Sequence, residues 1–187
     1  MVKIAIVCEG KDDKVFFETL IKHLGFDERR VSFYIFNGKS NLFKADNKKY
    51  EDLKLVVASG QIDKVLFVLD ADNVQNDATY GGFDNTQLAL DAIIKQLAFE
   101  DISQTYIMCD PISKVGYLES FILSTIPEEQ RNCIEHFLEC SQFKSKGNHK
   151  AILNKIYNIA YPNAPYDFEH SYFDSLKLKL INLFKQL

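Results

Sequence analysis

The sequence predicts an α/β fold: a mainly parallel four-stranded sheet, helices on both faces, and a C-terminal helical extension. Three observations lead there. Short β-branched apolar runs alternate with stretches of helical periodicity, which is the pattern of parallel βαβ units. From Tyr117 onward that alternation stops and only helical patterns remain. The chain has 187 residues, 47% hydrophobic and 26% charged, enough apolar material for one large domain. Residues 1–115 are read as the α/β core and 116–187 as an extension packed on it.

Lys3 to Cys8 reads as a buried strand ending in Glu9-Gly10. Asp12 or Asp13 can cap the next helix, whose apolar face is Phe16, Phe17, Leu20, Ile21 and Leu24. Gly25 ends it. Val31 to Phe36 is a second strand, closed by Asn37-Gly38, and Lys48 to Ala58 is a charged helical stretch. Lys64 to Leu69 is a third strand running into Asp70-Ala71-Asp72-Asn73. After a loop at Gly81-Gly82, residues 84–99 carry Leu90, Ile93, Ile94 and Leu97 at helical spacing. Thr105 to Cys109 is a fourth strand, stopped by Asp110-Pro111. Helices are expected at 117–125, 128–140, 149–160 and 171–186, with a Pro162–Pro165 loop before the last. The aromatic cluster Tyr157, Tyr161, Tyr166, Phe168, Tyr172 and Phe173 is expected to be core.

Several classes are excluded by composition. No apolar run approaches the roughly 18 residues of a membrane helix. The N-terminus lacks the pattern of a signal peptide, so a cytoplasmic location is the default expectation. Cys8, Cys109, Cys133 and Cys140 are far apart and the four histidines scattered, so zinc and disulfides are not expected. The net charge of −4 is divided unevenly. Residues 1–140 hold 15 basic and 23 acidic residues, and residues 141–187 hold 7 and 3. An acidic core with a basic C-terminal part suits cation ligands beside a phosphate-binding surface.

In open α/β sheets, sites form at the carboxyl ends of the strands. Three strands here end in acids: Glu9, Asp70 with Asp72, and Asp110. Carboxylates gathered at one edge repel unless a cation lies between them. Hard oxygen donors without cysteine or histidine point to Mg²⁺ or Mn²⁺, and thence to phosphate-ester chemistry. Asp110 before Pro111 is read as a turn residue.

Val7-Cys8-Glu9-Gly10-Lys11-Asp12-Asp13 before a helix resembles the first motif of the Toprim domain. Phe67-Val68-Leu69-Asp70-Ala71-Asp72 resembles its Asp-x-Asp motif. The form of the first motif is closest to the OLD-type nuclease branch and to small stand-alone bacterial Toprim-like proteins. Asn37-Gly38-Lys39-Ser40 resembles the Gly-Lys element those branches often carry. Gly116-Tyr117-Leu118-Glu119 and the segment from Lys146 to Lys150 resemble further elements of the stand-alone family. The resemblance implies Glu9 as general acid/base and Asp70 and Asp72 as Mg²⁺ ligands, with Asp13 and Glu119 as candidate further ligands. Gly10, Lys11, Lys146 and Lys150 become candidate phosphate contacts.

The Gly38-Lys39-Ser40 triplet is not a P-loop, because Phe33 stands where that motif needs its first glycine. The expected activity is metal-dependent cleavage of a phosphodiester in nucleic acid. The alternative is a non-catalytic module that binds a nucleotide or nucleic acid.

Overall fold

A computed structural model describes residues 1–142, 149–160 and 166–185. Its sheet consists of β1 (Ile4–Cys8), β2 (Val31–Ile35), β3 (Lys64–Asp70) and β4 (Ser103–Met108). All neighbours are parallel, in the order β2-β1-β3-β4. The expected α/β class and parallel sheet are therefore present.

α1 (Lys11–His23) connects β1 to β2. A short α2 (Lys39–Leu42) and then α3 (Lys48–Ala58) lead to β3. α4 (Phe83–Leu97) leads to β4. α5 (Leu118–Leu123), α6 (Glu128–Cys140), α7 (His149–Ala160) and α8 (Asp174–Phe184) follow. Parallel crossovers share one hand, so a step to the left and a step to the right place their helices on opposite faces. The chain steps from β1 out to β2, then back across β1 to β3 and on to β4. Accordingly α1 packs on one face, and α3 and α4 on the other.

Strand alternation divides the core the same way. Ile4, Ile6, Cys8, Leu66 and Val68 face α1, and α5, α7 and α8 supply residues to the same cluster. Ala5, Val7, Val65, Phe67 and Leu69 face α3 and α4. Every residue of β1 is fully buried, so each large aliphatic side chain there contributes about 1.5–3 kcal/mol. Leu176, Leu180, Leu183 and Phe184 of α8 complete the α1 face, with Phe184 stacked on Phe26 at 4.1 Å.

Several boundaries differ from the sequence expectation: β4 runs Ser103–Met108 where 105–109 was expected, and α5 runs Leu118–Leu123 where 117–125 was expected. The stretch 171–186 begins as a 3₁₀ turn, Ser171–Phe173, before α8, because His170 accepts from Tyr172 N–H and caps that turn. The helix expected over 84–99 stops at Leu97, where Ala98 takes a left-handed φ of 57°. Tyr157, Phe168 and Phe173 are buried as expected, while Tyr161 lies outside the described residues. Cys8 and Cys109 are buried and all four cysteines are free. No helix among the described residues is long and apolar enough to cross a membrane.

Candidate functional site

The connections leaving β1 and β3 run in opposite directions, so a crevice opens between the carboxyl ends of these two strands. Glu9 follows β1 directly and Asp70 closes β3. Both line a cleft of about 120 Å³ together with Asp12, Asp13 and Glu119. Gly10 and Leu118 complete the lining, and no basic residue is among the described residues there. Carboxylates from the β1–α1 turn, the end of β3 and the start of α5 thus share one small space.

Local structure fixes each acid. Gly10 is the N-cap of α1 in extended conformation, and its N–H donates to Asp13 Oδ2 at 2.8 Å. Asp13 therefore caps from inside the helix while it lines the cleft. Asp70 is buried, and its Oδ1 accepts from the Leu118 N–H at 3.0 Å. That bond ties the end of β3 to the start of α5. Glu119 is also buried, and its Oε1 accepts from Asn154 Nδ2 of α7 at 3.1 Å. The packing of α7 on α5 covers Glu119, which residue spacing alone does not reveal. Asp110 stays apart, its Oδ1 accepting from the N–H groups of Ile112 and Ser113 in the expected turn.

The charge of the cleft reaches its neighbours. The Tyr117 hydroxyl is pushed up to about 12, first by burial, then by Glu119, Asp70 and Asp72. Tyr166 is also pushed up to about 12, by burial, Tyr157, Asp12 and Glu119. Burial raises the Cys8 thiol to about 12, with further contributions from Asp13 and Glu9. A negative field oriented on three neighbours disfavours a bare phosphate and favours a cation.

Asp72 lies elsewhere. Strict alternation along β3 puts Asp70 and Asp72 on one face, but Asp72 has a left-handed φ of 59° that breaks the alternation. Its backbone N–H and C=O pair with Gly116, and its Oδ2 takes an ion pair from Lys39 Nζ at 2.9 Å. Lys39 is buried at the N-terminus of α2. Its ammonium also donates to the Ala71 and Tyr80 carbonyls and to Thr86 Oγ1. The shared ion of Asp70 and Asp72 that the resemblance implies is thus not the arrangement seen: Asp72 is committed to Lys39 and does not line the cleft. Sequence reasoning noticed Lys39 only as part of a Gly-Lys element; its partner lies 33 residues away.

Lys11 is exposed at the start of α1 and does not line the cleft. Lys146 lies outside the described residues, and Lys150 is in the first turn of α7 with a side chain outside the described set.

A family model described as a protein of unknown function (DUF3226) matches residues 3–158. The chain belongs to this family. The DUF3226 span runs from β1 to α7, so it contains every acid of the cleft, Asn154, and the Lys39–Asp72 pair, while α8 falls beyond it. No curated protein and no solved structure matches the chain.

Among the described residues, no three His, Cys, Asp or Glu side chains are placed to hold an ion together. Mg²⁺ does not require three, since it keeps several waters and takes one or two carboxylates. The all-oxygen donor set of the cleft, without lysine or arginine, fits such a hydrated ion.

Proposed function

We propose that this protein is a Mg²⁺- or Mn²⁺-dependent phosphodiesterase of Toprim type acting on nucleic acid. The observation that carries the reading is the convergence of Glu9, Asp70 and Glu119 in one cleft at the β1–β3 crevice. Asp70 and Glu119 would hold the ion, each already oriented through one oxygen, by Leu118 N–H and by Asn154. The bound ion supplies charge neutralisation at the phosphate and a more acidic water. Glu9 lies beside it and would move a proton at the attacking water or the leaving oxygen. Nucleic acid is inferred from the Toprim resemblance together with the basic segment 141–187.

The engagement of Asp72 with Lys39 favours a second reading, a binding module without catalysis. Calorimetry with Mn²⁺ tests the shared premise. The wild type is expected to bind, and Asp70→Asn/Glu119→Gln, which keeps both oxygen acceptors, is expected to lose binding at least about tenfold. Equal affinity in the two proteins places the ion elsewhere. Cleavage of labelled single- and double-stranded DNA and RNA separates the readings. Metal-dependent cleavage that disappears in Glu9→Gln supports catalysis. Retained binding of nucleic acid with no cleavage supports the module.

A further inference from the structure

The two edges of the sheet are treated differently. In β2, Phe36 N–H bonds back to Cys8, so Val31, Phe33 and Ile35 turn their N–H and C=O groups outward. Lys49 Nζ donates to the Ile35 carbonyl, and Lys14 Nζ lies 5.8 Å from the centre of the Phe33 ring. Lysines over an edge strand are a common means of blocking further pairing. β4 has only Lys179 of α8 beside Thr105, and among the described residues this lysine makes no hydrogen bond to the strand. The carbonyls of Ile102 and Met108 bond to β3, so Ser103, Thr105 and Ile107 present their backbone groups to the free edge. The strand Ser103-Gln104-Thr105-Tyr106-Ile107-Met108 contains no charge, proline or bulge.

A groove runs along this edge. Its two parts, about 430 and 450 Å³, share Thr105 and Lys179. α4 supplies Gln87 and Asp91 to its walls and α8 supplies Ser175 and Lys179. Ser103 lies in the groove, and its Oγ is buried without a hydrogen-bond partner among the described residues. A buried unsatisfied hydroxyl calls for an explanation.

We propose that β4 pairs antiparallel with β4 of a second copy, joining two sheets into one of eight strands. A strand paired with itself about a two-fold axis is antiparallel, so each end meets the other end of its partner. The charges suit that reversal. Asp91 and Glu100 lie at the Ser103 end of the groove, and Lys114 lies at the Cys109 end. With the axis near Thr105, the acids of each copy face Lys114 of the other, and the two copies of Lys179 come beside the axis, where Asp91 and Glu100 of the same groove offset their charge. A parallel arrangement would set like charges together. Pairing of six residues alone is too small for a stable interface, so the helix walls of α4 and α8 must add to it.

Sedimentation of the whole chain up to about 100 μM, a range that reveals micromolar dissociation constants, tests this. The wild type is expected to form a dimer. Thr105→Pro removes an outward-facing N–H, which an edge strand tolerates, together with a long hydroxyl contact to Gln87 that Thr105→Val removes alone, and the two-fold counts the loss of the N–H twice. It is expected to weaken the dimer about tenfold or more, with an unchanged circular dichroism spectrum. Lys114→Glu tests the same contact from the surface without touching the strand. It is expected to weaken self-association, and mixing it with Asp91→Lys/Glu100→Lys is expected to restore a heterodimer. A wild type that stays monomeric throughout overturns the proposal. So does a dimer unaffected by Lys114→Glu, whether or not Thr105→Pro folds.

Discussion

Lys39 shows what a single side chain contributes to this fold. A buried ammonium is costly unless paired and hydrogen-bonded, and here one carboxylate, two carbonyls and a hydroxyl receive it. Those groups belong to the end of β3, the following loop and α4, so the lysine draws three segments together. Lys39→Met leaves Asp72 without its cation. The side chain of Asp72 is 33% exposed, so the cost is expected at about 2–4 kcal/mol, below that of a fully buried pair. Thermal melting should then fall by roughly 5–12 °C. Melting within a degree or two of wild type would mean that water replaces the ammonium. The sequence displayed the acids legibly, because a polar residue at the end of an apolar strand needs a reason. It did not reveal which acid had a partner. That depended on a lysine 33 positions away and on one left-handed φ at Asp72, and neither leaves a periodic trace.

At the level of elements, α5 links the acids to the sheet. Gly116 precedes it with φ of 98°, and an added Cβ would lie 2.4 Å from Ser120 Oγ. Gly116→Ala must therefore shift the start of α5, where Leu118 N–H holds Asp70 and where Glu119 enters the cleft. The expected cost is about 1–3 kcal/mol, accompanied by weaker Mn²⁺ binding in calorimetry. Gly60→Ala, at φ of 68° with open space around it, is the control: similar backbone strain, unchanged Mn²⁺ affinity. Loss of affinity in both variants would separate the effect from α5. The four strands and the long helices were legible from periodicity. The brief α2 and the 3₁₀ turn before α8 were not, because four and three residues are too few to show a helical period.

Across the whole molecule, protonated groups held in the core set the behaviour at high pH. Cys8, Tyr117 and Tyr166 each titrate near 12 when folded, above the ordinary values of 9.0 for the thiol and 10.0 for the phenols. Above about pH 9 the unfolded chain releases protons that the folded chain keeps, so stability falls as pH rises from 9 towards 12. Below pH 9 these groups add no slope. Urea midpoints measured from pH 7 to 11 should stay level to about 9 and then decline; a midpoint that rises above pH 9 contradicts this. That only helices follow β4 was legible as a change of periodicity near Tyr117. The common core that joins α8 to α1 was not, since it depends on contacts across most of the chain. Strand order also governs synthesis. Ile4 pairs with Lys64, so β1 leaves the ribosome roughly 60 residues before its central neighbour. At typical elongation rates that is about 3–12 s. During this time a fully apolar five-residue strand has β2 on one edge and α1 on one face but no strand on its other edge. The face receiving α8 stays open until residues 174–184 have been made, so the nascent chain keeps that apolar surface uncovered long after β1 and α1 have emerged.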